Sequence, residues 1–140
     1  MITKTGMHAV RAVVVLAQLP PGTYAGAARI AQEIGAPQNY LGKLLQQLAR
    51  EGLVQSQKGQ GGGFCLGRPP QTISLFDVVE PIERISRWSG CMLGRPACSE
   101  ANPCTIHDRW KEVRTAYLDL LQHTTVADLV AGREVAALPL

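Results

Sequence analysis

The sequence predicts a mostly α-helical domain with a small β-hairpin wing: a winged helix-turn-helix followed by a long C-terminal dimerisation helix. Three observations predict it. Apolar residues recur at helical spacing in three segments of the first half. A glycine-rich stretch then separates two short strand-like runs. Finally, an apolar stripe extends from Ile106 to Leu121.

The first two helices are predicted from their apolar spacing. Thr5–Leu19 places several valines on one face, and Pro20-Pro21-Gly22 ends this helix. Gly26–Ile34 is an alanine-rich second helix, followed by a tight turn at Gly35-Ala36-Pro37. Proline favours the first position of a helix, so Pro37 is expected to open the third helix.

The third helix, from about Pro37 to Glu51, is the most clearly amphipathic element, with Gly52 as its C-terminal cap. Its buried stripe consists of four leucines: Leu41, Leu44, Leu45 and Leu48. Its opposite face carries amide and cationic groups and no carboxylate: Asn39, Lys43, Gln46 and Arg50.

The hairpin is predicted from strands at Leu53–Gln57 and Gly63–Leu66, joined by the tip Lys58-Gly59-Gln60-Gly61-Gly62. A helix over Ile73–Ile85, a cysteine-containing loop and a long helix over Cys104–Leu121 should follow. A capping box beginning at Thr125 opens a last short helix. We therefore divide the chain into a DNA-binding region at 1–85, a cysteine loop at 86–104, and a dimerisation helix with its tail at 105–140, all in one intertwined domain.

Size and composition exclude several classes of protein. The chain has 140 residues, which fits one domain, and 46% hydrophobic residues, which fits a packed core. No apolar run approaches the roughly 20 residues needed to cross a bilayer, and Met1-Ile2-Thr3-Lys4 does not resemble a signal peptide. We therefore expect a soluble cytoplasmic protein with no membrane partner.

Charge is distributed unevenly along the chain. Residues 1–70 hold seven basic and two acidic side chains, a net of +5, whereas residues 71–140 hold seven basic and nine acidic ones, a net of −2. A basic first half favours an anionic partner, most commonly nucleic acid, although a solvated surface would show the same asymmetry.

The order helix, turn, polar-faced helix and hairpin predicts binding of double-stranded DNA. Amide side chains can bond adenine edges, and Lys43 can bond guanine or phosphate in the major groove. The glycines of the tip allow close approach to phosphates, which Lys58 can also reach. A helical hairpin with a solvated face is the simpler alternative. A nucleotide-binding loop is rejected, because strand residues and not Gly-Lys-Ser/Thr and a helix follow the glycines.

Three of the four cysteines gather in the spacing Cys91-x6-Cys98-x5-Cys104-x2-His107. Three thiolates and an imidazole can converge there, which suits an iron–sulfur cluster or zinc, with zinc expected to need tighter spacing. Unrelated free cysteines are the simpler alternative. A cysteine–histidine enzyme has little support, because no orienting third group follows from the sequence, and we expect no enzymatic activity.

The chain resembles the IscR/NsrR family of bacterial winged-helix regulators over nearly its whole length. The resemblance rests on Asn39-Tyr40-Leu41, on the segment Leu48–Val54, on the glycine-rich segment Lys58–Phe64 and on Cys104-Thr105-Ile106-His107. It implies a homodimeric transcriptional regulator whose operator binding is controlled by an iron–sulfur cluster, with 2Fe–2S favoured over 4Fe–4S. A same-fold regulator that senses by thiol oxidation or a small ligand is the alternative.

The resemblance also assigns roles to residues. The cluster ligands would be Cys91, Cys98, Cys104 and His107, with the Met7–His8 neighbourhood of a partner subunit as the other source of a fourth ligand. The DNA contacts would come from Gln38, Asn39, Tyr40, Lys43, Lys58, Gly59, Gln60 and Gly61. The dimer interface would consist of Ile106, Trp110, Val113, Tyr117, Leu120 and Leu121. The signal (redox state, nitric oxide or iron status) and the choice between repressor and activator stay open.

Overall fold

A computed structural model describes residues 2–87 and 91–132 of the chain. Its helices and strands are α1 Lys4–Ala17, α2 Ala27–Ile34, α3 Gln38–Arg50, β1 Val54–Gln57, β2 Gly63–Leu66, α4 Leu75–Glu83, α5 His107–His123 and α6 Val126–Ala131. Short 3-10 turns lie at Pro70–Thr72 and Ile85–Arg87. The predicted mostly helical fold with a two-stranded wing is confirmed. The division at 1–85, 86–104 and 105–140 stays a prediction, and residues 88–90 and 133–140 lie outside the described ranges.

Helix α1 forms the centre of the core. Every residue from His8 to Leu16 is buried, so this helix has no wide solvent-exposed face along that stretch. It packs against α2, α4, α6 and β2. The Thr3 side chain caps it by accepting a hydrogen bond from the backbone N–H of Gly6. The remaining elements are thus arranged around one fixed axis.

The turn between α2 and α3 sets the position of the third helix. Gly35 ends α2 in the left-handed conformation with φ +70°, which glycine adopts without the strain of a Cβ atom. The expectation that Pro37 is the first helical residue is wrong, because its ψ of 132° is extended and α3 begins at Gln38. At the other end of α3, Gly52 has φ +76°, as expected of a residue that closes a helix.

The wing is anchored to the segment that precedes α2. β1 and β2 pair antiparallel from Val54 opposite Leu66 to Gln57 opposite Gly63. Phe64 also exchanges backbone hydrogen bonds with Ala25, at 2.8 and 2.9 Å. A Cβ atom at Gly63 would lie 2.6 Å from the Ala25 carbonyl oxygen, so only glycine permits this approach.

Both predicted boundaries of α4 and the predicted start of α5 are wrong for local reasons. Helix α4 begins at Leu75 and not at Ile73, because Ser74 and Asp77 form a reciprocal capping box. It ends at Glu83, because Arg84 takes a left-handed conformation with φ +53°. Helix α5 begins at His107 and not at Cys104, since residues 104–107 form a turn closed by a 3.0 Å bond between the His107 N–H and the Cys104 carbonyl.

Helix α6 opens with the expected capping box, formed by Thr125 and Asp128. The Asp128 carboxylate accepts a hydrogen bond from the Thr125 N–H, and its pKa is lowered by this contact and by the Thr125 side chain. None of the helices in the ranges 2–87 and 91–132 is long and apolar enough to span a bilayer.

The buried ring of His8 should make stability depend on pH. Its pKa is lowered by burial and, to a lesser degree, by the charges of Lys4 and Arg11, and neither ring nitrogen finds a partner within the described residues. The unfolded chain therefore takes up a proton first as the pH falls through about 6.5, and the free energy of unfolding decreases. In urea titrations, the free energy of unfolding of His8→Phe should decrease less than that of the wild type between pH 7.5 and pH 5.5. His123→Phe, at an exposed site, is the matched control, and equal losses in His8→Phe and wild type would contradict the expectation.

Candidate nucleic-acid interface and cysteine site

The outer face of α3 forms one wall of an open groove. The predicted polar side chains Asn39, Lys43, Gln46 and Arg50 are all exposed and all line it. The groove has a volume of about 700 Å³ and is bordered on the other side by Ala27 of α2 and Phe64 of the wing. The sequence pattern therefore located this polar face correctly, and the four leucines opposite it are buried.

The wing tip carries little side-chain bulk. Lys58, Gly59, Gln60 and Gly61 are exposed. Gly59 and Gly61 have φ values of +96° and +76°, which bulky residues adopt only with strain. The tip thus presents backbone N–H groups and one lysine, a combination that suits phosphate oxygens.

Three other α3 residues differ in their surroundings. Gln38 lines the groove, as expected of a contact residue. Tyr40 is half-buried, and its ring meets that of His8 edge-on at a centroid distance of 5.6 Å. Gln47, which the sequence analysis did not single out, donates a 2.7 Å hydrogen bond from its side chain to the Pro81 carbonyl. It lies on the border of the polar wedge, where helical spacing alone gives no clear assignment.

The four residues of the cysteine motif meet as two pairs beside the start of α5. The sulfur atoms of Cys91 and Cys104 lie 3.7 Å apart. The Cys98 sulfur lies 3.1 Å from Nδ1 of His107. All three cysteines are half-buried, and His107 is 5% exposed. Residues separated by up to 16 positions in the chain are thus brought together at one helix end.

Polar contacts hold this loop in shape. Arg95 donates a 2.8 Å hydrogen bond to the Asn102 carbonyl, which closes the loop across Cys98. Glu100 forms an ion pair with Lys111 of α5, and this contact lowers the pKa of the carboxyl. The Nε2 atom of His107 is buried and lacks a hydrogen-bond partner within the described residues. Such an atom carries a desolvation cost unless it acquires a ligand.

The Cys91 thiol lies in an environment that favours thiolate. Its pKa is lowered chiefly by the Leu93 N–H, which lies 3.4 Å from the sulfur, with smaller effects from the Arg95 backbone and the Cys104 thiol. Partial burial acts in the opposite direction. A thiolate is the form of cysteine that binds metals and attacks oxidants, so this site is suited to both kinds of chemistry.

The chain matches the sequence profile of the Rrf2 family, described as iron-dependent transcriptional regulators, over residues 2–132. It belongs to the Rrf2 family. A putative HTH-type transcriptional regulator of Aquifex aeolicus is 33% identical over 105 residues, covering 74% of this chain and 73% of the relative. The regulator IscR of Escherichia coli is 28% identical over 134 residues, covering 96% and 82%.

A solved structure shares the fold. The global cysteine regulator CymR of Bacillus subtilis superposes with a TM-score of 0.79 at 25% identity, covering 96% of this chain and 98% of that one. Because the Rrf2 family and its relatives are described as transcriptional regulators, the chain's membership agrees with the regulatory class that the sequence predicts.

The donor set of the cysteine site fits an iron–sulfur cluster chemically. Thiolates are the usual ligands of such clusters, and histidine replaces cysteine on one iron in some of them. The buried Nε2 atom of His107 lacks a hydrogen-bond partner within the described residues, so the imidazole fits the role of a ligand. In the ranges 2–87 and 91–132, however, no three His, Cys, Asp or Glu side chains stand in a preformed metal-binding arrangement. The two pairs would have to close around a cluster.

Cys65 occupies a different part of the protein from the three loop cysteines. It is half-buried on β2, where its thiol lies 4.0 Å from the Gln55 side-chain oxygen. Its hydrogen bond with the Tyr24 hydroxyl is the main cause of that group's raised pKa. These contacts place Cys65 within the wing, apart from the cysteine loop.

The α5 stripe is divided between the surface and the core. Val113 and Leu120 are 60% and 58% exposed, whereas Leu121 is 1% exposed and packs within the protomer's own core. Ile106, Trp110 and Tyr117 are half-buried. The helical spacing groups these residues, but packing within the protomer, which includes α4, buries Leu121 and leaves Val113 and Leu120 exposed.

Proposed function

We propose that the protein is a homodimeric, cytoplasmic transcriptional regulator whose binding to operator DNA is controlled by an iron–sulfur cluster. Its membership of the Rrf2 family supports the regulatory role. The observation that supports a cluster is the meeting of Cys98 with the buried His107 beside the Cys91–Cys104 pair. The signal would be the redox state, nitric oxide or the supply of iron and clusters.

The DNA would lie against α3 and the wing. The outer face of α3 would enter the major groove, where Asn39 and Lys43 reach base edges. Gln38 and Tyr40 would contact the DNA at the start of the same helix. The wing tip, at residues 58–61, would approach the sugar–phosphate backbone through its N–H groups and Lys58. These assignments follow from exposure and donor chemistry: the face is polar, and none of the described residues that line the groove is acidic.

The homodimer would form through α5. Val113 and Leu120 are seven residues apart, so they lie on one face of the helix and form an exposed apolar strip. Such a strip on a monomer is unfavourable in water and is typical of an interface. Two-fold pairing of the same strip would bury both copies at once, with Ile106, Trp110 and Tyr117 at its border.

The cluster would be held by Cys91, Cys98, Cys104 and His107. When bound, it would supply a redox-active and chemically labile group. With a 2Fe–2S core of charge 2+, three thiolates and a neutral imidazole give a net charge of −1, a smaller charge to bury than four thiolates would leave. The histidine favours 2Fe–2S over 4Fe–4S, because histidine replaces cysteine on one iron in Rieske-type 2Fe–2S centres. Arg95 and the Glu100–Lys111 pair would hold the loop around it.

The contacts of α4 offer a route from the cysteine site to the DNA-binding face. The cysteine loop connects α4 to α5 in the chain, and these two helices pack against each other. Near its C-terminal end, α4 accepts the hydrogen bond from Gln47 of α3. A movement of the loop and the start of α5 would therefore shift α4 and, through it, α3. The affinity for operator would then change.

Thiol oxidation without a cluster is the second candidate, and the Cys91–Cys104 distance of 3.7 Å supports it. A modest approach of the two sulfurs would allow a disulfide of about 2.05 Å. In that reaction the thiolate of Cys91 attacks a peroxide oxygen, and hydroxide or alkoxide leaves and takes up a proton. The Cys104 sulfur then attacks the sulfur of the sulfenic acid, and the hydroxyl group leaves as water with the thiol proton. Two thiols are oxidised and the peroxide is reduced.

The DNA-binding assignment can be checked with α3 and wing variants. Asn39→Ala and Lys43→Ala should change base preference in a selection from random duplexes, because these side chains face the groove. Lys58→Ala should weaken binding to all sequences alike. It should also reduce the salt slope, the steepness with which the logarithm of the binding constant falls with the logarithm of the salt concentration, by about 1. Equal losses on selected and random duplex for the α3 variants would mean that the helix does not read bases.

The dimer assignment can be checked by light scattering at micromolar concentration. The wild type should have the mass of two chains. Val113→Glu and Leu120→Glu should give the mass of one chain, since a buried carboxylate in the interface has no partner. A matched glutamate at the exposed Thr115 of the same helix should leave the mass unchanged. A monomeric wild type would refute the proposal.

The ligand assignment can be checked by visible absorption after anaerobic purification. Alanine at Cys91, Cys98 or Cys104 should abolish the spectrum, and His107→Ala should leave a weaker, more labile one because water can fill a single position. Cys65→Ser is the control and should match the wild type. A colourless wild type that forms a Cys91–Cys104 disulfide with peroxide would support the second candidate. A colourless Cys65→Ser beside an unaltered His107→Ala would move the fourth ligand to the wing.

A further inference from the structure

A second, basic pocket lies beside the C-terminal end of α3. It has a volume of about 460 Å³, and three arginines line it: Arg50 of α3, and Arg84 and Arg87 from the turn after α4. All three side chains are exposed. The sequence pattern places Arg50 in the polar wedge of α3 and predicts no role for the other two arginines.

This arginine pocket continues the groove in front of α3. Gln47 and Arg50 line both of them, so the two depressions share a border. The hydrogen bond from Gln47 to the Pro81 carbonyl fixes the end of α4 at this border. A polyanion that lies along the groove would therefore contact these arginines.

The backbone presents these arginines in a defined way. Arg84 is the only non-glycine residue with positive φ among the described residues, a conformation in which arginine is strained. Its N–H bonds to the Glu80 carbonyl, and the Arg87 N–H bonds to the Arg84 carbonyl, each at 2.9 Å. The Glu80 carboxylate accepts hydrogen bonds from the N–H and hydroxyl of Ser86. The turn that carries both arginines is thus braced from α4.

The charge of the pocket is incompletely balanced. Within residues 2–87 and 91–132 the ion pairs involve Arg29, Arg68 and Lys111, and none involves Arg50, Arg84 or Arg87. Two carboxylates line the pocket, but Glu80 is occupied with Ser86. Three guanidinium groups therefore face solvent beside the exposed Glu51.

We infer that Arg84 and Arg87, together with Arg50, bind phosphates of the DNA backbone that borders the major groove on the α4 side of α3. This rests on the proposed DNA-binding function and adds a third contact region to α3 and the wing. Guanidinium groups match phosphate oxygens in geometry and charge. Contacts of this kind position the protein along DNA without reading the sequence.

The test compares salt dependence on two probes: a duplex selected from a random pool with the wild-type protein, and an unselected duplex of equal length. Arg87→Ala should weaken binding to both by a similar factor and reduce the salt slope by about 1 per bound protomer, and Arg84→Ala/Arg87→Ala by about 2. Arg84→Gly/Arg87→Ala should give the same reduction as the alanine pair. Because glycine adopts the positive φ of position 84 without strain, this variant separates loss of charge from a disturbed turn. Arg84→Lys/Arg87→Lys should retain the slope.

Arg109→Ala is the matched control, because it removes one exposed positive charge on α5, away from both depressions, and should leave the slope unchanged. If the wild type binds but the double variant keeps its slope, or changes only base preference, the inference is wrong and the proposed function stands. If the Arg109 control loses as much slope as Arg87→Ala, the effect is one of net charge and the inference is also wrong. A wild type without salt-dependent duplex binding would remove the proposed function and the inference together.

Discussion

The burial of α1 is the constraint on which the rest of the structure depends. Nine consecutive residues, from His8 to Leu16, are withdrawn from water, although a surface helix would leave half of them exposed. This is possible only if α2, α4, α6 and the wing strand enclose it. Two polar side chains, His8 and Arg11, are buried together with the apolar ones, and their burial carries a desolvation cost. Because α1 is enclosed, the elements that pack against it (α2, α4, α6 and β2) have fixed positions relative to it.

Helix α4 joins the parts that the proposed function requires to communicate. Its first turn is capped by Ser74, which also bridges to Thr125 before α6. Near its other end, Glu83 accepts two hydrogen bonds from Thr3, and the Pro81 carbonyl accepts one from Gln47. The base of the wing is attached as well, through the 3.0 Å ion pair between Arg68 and Asp77. One short helix thus contacts the core, the wing, α3 and the segment that leads to the cysteines.

The strong local patterns of the sequence predict the elements correctly, but they do not reveal the caps and turns that end a helix or the contacts made by tertiary packing. The leucine stripe of α3 and the wing strand Gly63–Leu66 were placed correctly, because period and glycine content are local properties. The start of α5 was placed three residues early, since apolar spacing does not reveal that residues 104–107 form a turn. The arginine pocket was missed for a similar reason: Arg50 lies 34 positions from Arg84, and only the packing of α4 against α3 brings them together.

By itself, the sequence determined that this is a regulator-like winged domain with a polar recognition face and a cysteine–histidine motif, because residue types and short spacings encode these features. The tertiary structure alone decided which side chains meet. It pairs Cys91 with Cys104 and Cys98 with His107, which spacing could not specify. It also withdraws Leu121 into the core while leaving Val113 and Leu120 exposed on the same helix. Burial and side-chain contact depend on neighbours distant in the chain, so they are settled only when the helices pack.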